Sequence, residues 1–464
     1  VISWSIITSV TSDGKIKLIS SNFQPGRNFN STPSELSLKV SGSDELIKLY
    51  AKNSQILWAS SDTKFGYPNA DYKVEGNLVT VYLPILEPGY FKLKVGNIIL
   101  PFSVGMESVK KVKKAEECLG TARIGTCIEV YLKEKALKER DVKPALDELY
   151  KLTEEKPETL YACHNYAHAL GQITAFIYQD YQSSIQRGYD VCHFGFYHGS
   201  MESFAALFNT EVLKKKFADL CDEYSIGFNR GDCTHGLGHI AWWRTGGNFE
   251  KAVSICDLAS DKVTIGFFRD KDSCVTGIAM EWSNKYLTAQ NEVKQEMTKG
   301  LKDPVDICYK IKDERLASGC WEFIGPVWGG NDSNINHMVS VCQNIKSLVG
   351  HQACWLGLGR DEAFRPEVSL ASATALCLKA RDYKAMYLCM DNVVHSKTVT
   401  TRKPGAAKYV CSKIPKTTPD YDAECAGYQT LEDERLAAEG RNQLNGSYSQ
   451  DALAGAKTAP SQGR

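Results

Sequence analysis

Histidine pairs at helical spacing dominate the chemistry this sequence can offer. Six of its nine histidines fall between Cys163 and His239: His164 and His168, His193 and His198, His235 and His239. Each pair lies within six residues of a preceding cysteine (Cys163, Cys192 or Cys233). Residues four apart on a helix share a face with Cβ atoms about 5–6 Å apart, so such a pair can grip one metal ion. The middle pair is five apart and fits that geometry less well. Imidazole-rich ligation suits zinc, copper or iron, and an oxidising compartment puts copper or zinc ahead of iron. Within reach in the chain are two carboxylates for proton transfer or outer support, Glu202 and Glu281, and a soft ligand, Met280.

Other motifs carry less. No C-x-x-C-H is present for haem attachment and no G-x-S-x-G for a nucleophile elbow. Gly236 and Gly238, like Gly357 and Gly359, form G-x-G patterns with no strand before them, which read as close helix packing. Arg360-Asp361-Glu362 is open to two readings, a buried ion pair or a solvated turn. His337, His351 and His395 stand alone and read as structural.

The elements that must position these residues follow from composition and spacing. A chain of 464 residues can hold two or three domains. Lys plus Arg balance Asp plus Glu at 55 each, so no electrostatic footprint for nucleic acid exists. No run of 18 apolar residues marks a membrane span. The absence of an initiator Met suggests a processed or trimmed start. The sixteen cysteines are the sharpest compositional signal. Cys221/Cys233, Cys308/Cys320, Cys342/Cys354 and Cys377/Cys389 are each 12 apart, Cys411/Cys425 are 14 apart and Cys256/Cys274 are 18 apart. Such regular pairs read as disulfides of an exported protein, secreted, periplasmic or at the cell surface. The sequons at Asn30, Asn331 and Asn445 are compatible with export. Cys163 and Cys192 have no cysteine 12 before them; they either bridge each other or remain thiolates beside His164 and His193.

Residues 1–106 read as an immunoglobulin-like β-sandwich, with β-rich runs including Lys15–Phe23, Glu35–Val40, Leu46–Ala51 and Tyr72–Leu83 between turn residues. This segment has no cysteine or histidine, so no chemistry is expected of it. A charged linker at 107–117 leads into residues 118–428, where amphipathic helices such as Asp141–Glu155 and Glu211–Tyr224 alternate with Gly- and aromatic-rich helices starting at or beside a cysteine. The cysteines of this second class recur at intervals of 29–46 residues, a period near 35, which predicts a disulfide-stapled α-solenoid of helical hairpins. A short helix over Thr430–Leu444 and a polar tail close the chain.

Ile255-Cys256-Asp257-Leu258 and Cys354-Trp355-Leu356-Gly357-Leu358-Gly359 give residues 118–425 the look of the disulfide-bridged Sel1-like repeats of the Helicobacter cysteine-rich protein family. The resemblance implies helical hairpins each clasped by a cysteine pair. The histidine pairs are foreign to that family, so it bears on architecture alone.

The first functional expectation is a metal-centred protein, enzyme or carrier, with His164, His168, His193, His198, His235 and His239 as ligands. A second is a non-catalytic binding scaffold, meeting a protein partner through the solenoid surface or the β-sandwich. A third is a subunit of a cell-envelope or extracellular assembly, suggested by the apolar N-terminal residues, which could add a strand to a neighbour's sheet.

Overall fold

The computed structural model describes residues 5–444 except 7–15, 26, 30–32, 59–65, 68–70, 84–88, 105–111, 122–123, 179–180, 189–191, 193–194, 206–213, 223–227, 265–267, 289–290, 326–331 and 366. Its N-terminal part holds β1 (Ser5–Ile6), β2 (Lys17–Ser21), β3 (Arg27–Phe29), β4 (Glu35–Ser41), β5 (Gln55–Trp58), β6 (Gly66–Tyr67), β7 (Tyr72–Glu75), β8 (Leu78–Tyr82), β9 (Gly89–Val95) and β10 (Ile98–Val104). They form two five-stranded sheets, ordered β1-β2-β4-β8-β7 and β3-β10-β9-β5-β6. Leu36, Leu38 and Val40 alternate with more polar neighbours along β4, and the buried Leu100 and Phe102 alternate with the exposed Ile99 and Pro101 along β10. These apolar faces and Val79, Val81, Phe91 and Leu93 share one core. The hairpins β7–β8 and β9–β10 turn at Gly76 and Gly96, both at φ +59°, where a residue with a Cβ is disfavoured.

One expected strand is a helix. Leu46–Ala51 lies within α1 (Asp44–Lys52), whose first turn carries Asp44 and Glu45 and whose N-cap Ser43 accepts from the Leu46 amide. Ile47 and Ala51 are buried, four apart rather than two, so the period is helical.

From Ala115 on the described chain is helical. The stretch read as linker ends in a 3-10 turn, Ala115–Gly120, tied to the next helix by Cys118–Cys127. The main helices are α2 (Ile124–Glu139), α3 (Lys143–Glu155), α4 (Leu160–Gly171), α5 (Gly195–Ala205), α6 (Phe228–Arg244), α7 (Phe249–Cys256), α8 (Asp270–Thr288), α9 (Glu314–Phe323), α10 (Asp332–Asn344), α11 (Leu348–Phe364), α12 (Leu370–Cys377), α13 (Tyr383–Thr401), α14 (Ala406–Lys413) and α15 (Tyr421–Leu444). Helices α4, α5, α6, α8, α9, α11, α13 and α15 pack each on the next. Several outer helices are stapled to them through Cys256–Cys274, Cys342–Cys354, Cys377–Cys389 and Cys411–Cys425. Cys221–Cys233 joins α6 to the turn before it, and Cys308–Cys320 joins α9 to the 3-10 helix Pro304–Lys310.

The Gly-rich helices do not begin at their cysteines. They begin one to two turns earlier, because the residues that cap them lie there: Asp313, Ser347 and Asp382, each seven before a cysteine, accept from first-turn amides of α9, α11 and α13. The expected short helix Thr430–Leu444 is instead the second half of the continuous 24-residue α15. Of the helix expected at Glu211–Tyr224, residues 214–222 are described, helical only at 214–216 and in turns from 217 to 222; the asparagines of the three sequons and the C-terminal tail fall outside the described residues. No helix among the described residues is long and apolar enough to cross a membrane.

Glycines set how closely the inner helices approach. A Cβ on Gly199 would run into the carbonyl oxygen of His168, and one on Gly238 into that of Cys274. Backbone therefore meets backbone at the α4–α5 and α6–α8 crossings, and side chains one residue away are brought together.

Candidate metal centre

His164, His168 and Gln172 stand one turn apart from one another along α4 and its C-cap. His198 and Glu202 are similarly placed on α5, and His235 and His239 on α6. The five imidazoles form a connected cluster. Ring centroids are 5.0 Å apart for His164 and His198, 5.0 Å for His198 and His235, 4.8 Å for His235 and His239, and 5.6 Å for His239 and His168. Each of His168, His198 and His239 offers one ligand atom such that the three lie within 4.8 Å of one another, a group that could hold a metal ion. These three residues come from three helices, α4, α5 and α6. A tetrahedral ion with Zn–N bonds of about 2.0–2.1 Å keeps its nitrogens about 3.3–3.4 Å apart, a spacing that falls inside the 4.8 Å within which the three donors lie.

Outer contacts fix several rings. Glu202, 1% exposed, accepts from His168 Nε2 at 2.8 Å with one oxygen and from Gln172 Nε2 at 2.9 Å with the other. The first of these oxygens is also 3.9 Å from His239 Nδ1. Glu281 on α8 accepts from His239 Nδ1 at 2.6 Å. His235 Nδ1 meets Thr276 Oγ1 at 2.6 Å, and Asp232 Oδ1 lies 3.4 Å from His198 Nε2. Imidazoles backed by carboxylates are the usual outer arrangement of metal-binding histidines. Burial first, and neighbouring histidines second, hold His198 and His235 well below the ordinary imidazole range, so both are neutral at physiological pH, the form that binds a metal.

Four buried ring nitrogens have no hydrogen-bond partner among the described residues: Nδ1 and Nε2 of His198, Nε2 of His235 and Nε2 of His239. Buried polar atoms are rarely left so. On its far side the cluster is walled by Trp243 against His239 (6.1 Å) and Phe323 against His235 (4.9 Å). Arg360 lies 3.5 Å over the Phe323 ring and pairs with Glu322 and Asp361, so the charged run at 360–362 is a largely buried ion pair. Burial pushes the Glu322 carboxyl up to about 7 against the opposing pull of Arg360.

Of the sequence candidates, His164, His168, His198, His235, His239, Glu202 and Glu281 are brought together, and His193 lies outside the described residues. Cys163 and Cys192 are bridged to each other, so neither is a thiolate ligand. His351 Nδ1 bonds the Cys342 carbonyl and His337 pairs with Asp303, both away from the cluster. Sequence reasoning missed Gln172, Asp232 and Thr276. The signal was present: Gln172 is four past His168, and Thr276 stands two past Cys274 as His235 stands two past Cys233. No family model, no curated protein and no solved structure matches this chain.

Glu202 is the outer residue with the greatest leverage, because it orients His168 and faces His239. Glu202→Gln keeps the shape and removes the charge; if the cluster holds a metal, its affinity, measured by chelator competition, is expected to fall 10–100-fold with helix content unchanged. An unchanged affinity would remove Glu202 from the site.

Proposed function

We propose that this chain is a transition-metal-binding protein of an oxidising, extracytoplasmic compartment, with zinc or copper held by His168, His198 and His239. The observation that carries this reading is the convergence of three imidazoles from three successive helices, with buried nitrogens of His198 and His239 unpartnered among the described residues. Imidazole donors with carboxylates behind them favour zinc or copper. The eight disulfides and the lack of a membrane-crossing helix among the described residues support export.

In this reading the paired sheets are an immunoglobulin-like sandwich that spaces or attaches the protein. The stapled helices are a solenoid of the Sel1-like, cysteine-rich kind, adapted in α4–α6 to hold metal. Glu202 and Glu281 are the groups placed to move a proton if the centre is catalytic. Elemental analysis of untagged protein purified without chelators tests the reading: near-stoichiometric zinc or copper is expected. A clearly substoichiometric content of every transition metal, unrestored by dialysis against zinc or copper, would overturn it.

A further inference from the structure

One ion at His168, His198 and His239 leaves part of the cluster unexplained. It engages Nε2 of His239 and one nitrogen of His198. The other nitrogen of His198 and Nε2 of His235 are still buried without a partner among the described residues. The state of His235 can be read from its neighbours. Thr276 Oγ1 spends its own proton on the Ser273 carbonyl at 2.6 Å, so towards His235 it can only accept. His235 therefore carries its proton on Nδ1, and its Nε2 is a bare lone pair. A buried lone pair wants a cation or a donor. The His198 ring lies 5.0 Å from both His164 and His235, and Asp232 brings a carboxylate oxygen within 3.4 Å of His198 Nε2.

We propose that the centre is dinuclear, with a second metal position formed by His164, His198, His235 and Asp232 beside the first. This rests on the metal-binding reading above. His198, whose two ring nitrogens are both buried without a hydrogen-bond partner among the described residues, would offer one to each ion, and the Asp232 carboxylate would supply negative charge beside the second. Thr276 is a positioning residue, acting through the His235 tautomer.

The test is zinc stoichiometry on the full disulfide-bonded chain, loaded with zinc alone and dialysed. The wild type is expected to keep two zinc ions per chain and His235→Ala one. Thr276→Val, which preserves side-chain shape, should weaken the second equivalent at least tenfold and leave the first unchanged; it serves also if His235→Ala fails to fold by circular dichroism. A wild type that saturates at one ion, or a folded His235→Ala that still holds two, overturns the second position while the mononuclear reading stands. A wild type that binds no zinc overturns both.

Discussion

Complete reduction at neutral pH, without denaturant, is expected to unfold the helical region while the cysteine-free sheets stay folded. All sixteen cysteines are paired, and every bridge lies at or beyond Cys118. The bridges close loops with sequence separations from 9 to 29 residues. In the chain-entropy model, a loop of that size contributes about 3 kcal/mol. Eight such contributions exceed the roughly 5–15 kcal/mol by which a native domain is usually stable. The sheets keep a core of their own built from residues such as Leu38, Val79, Leu93 and Phe102, with no sulfur in it. The measurement is ellipticity at 222 nm, with hydrogen exchange of residues 17–104, after reduction verified by counting sixteen thiols. Helicity unchanged after full reduction would show that the bridges are dispensable.

The second large effect concerns the ligands. His168→Ala combined with His239→Ala should abolish tight metal binding while the fold survives, because neither side chain carries a bridge or a helix cap. Sharing roughly 10–16 kcal/mol of binding among the three ligands gives about 3–5 kcal/mol each, so losing two weakens binding by about 10⁴-fold or more. Chelator competition reads this directly; an affinity within tenfold of wild type would place the ion elsewhere.

Acid should act on the wild type in the same direction. A ligating imidazole must be neutral, so protons compete with the ion and affinity falls as pH drops; burial holds His198 well below the ordinary imidazole range, so its part of that competition sets in well below about pH 6.5. The metal-free fold obeys the same sign. Burial lowers His198 and His235 in the folded state, so the unfolded chain binds more protons below about 6.5 and stability declines there. Above that value both states are neutral and the penalty is absent.

How much of this was legible in the sequence depends on the kind of signal. The histidines announced themselves by spacing, since 164/168 and 235/239 share a helical face whatever the fold does around them. Cysteine separation likewise speaks through chain geometry, because a short helix and a turn fill about 12 residues. What could not be read was the boundary chemistry. Leu46–Ala51 looks β-rich by composition, yet Ser43 and the two acidic residues after it turn the segment into a helix. The outer residues of the centre had only a spacing signal. Asp232, Gln172 and Thr276 are ordinary polar residues in the linear chain; Gln172 meets Glu202 across the α4–α5 crossing at Gly199, Thr276 meets His235 across the α6–α8 crossing at Gly238, and Asp232 meets His198 where Gly236 brings α6 against α5.

The Cys163–Cys192 bridge differs from the others. It joins α4, one residue before His164, to the turn six residues before His198, and so couples two ligand-bearing helices directly. In the language of multivalent binding it fixes the effective concentration of one imidazole set near the other. If the centre holds a metal as proposed, an ion captured by α4 would meet the α5 ligand as an intramolecular partner, without the ordering cost that two untethered helices would incur. Capture and retention of that metal would then be sensitive to the oxidation state of a single bond that touches no ligand.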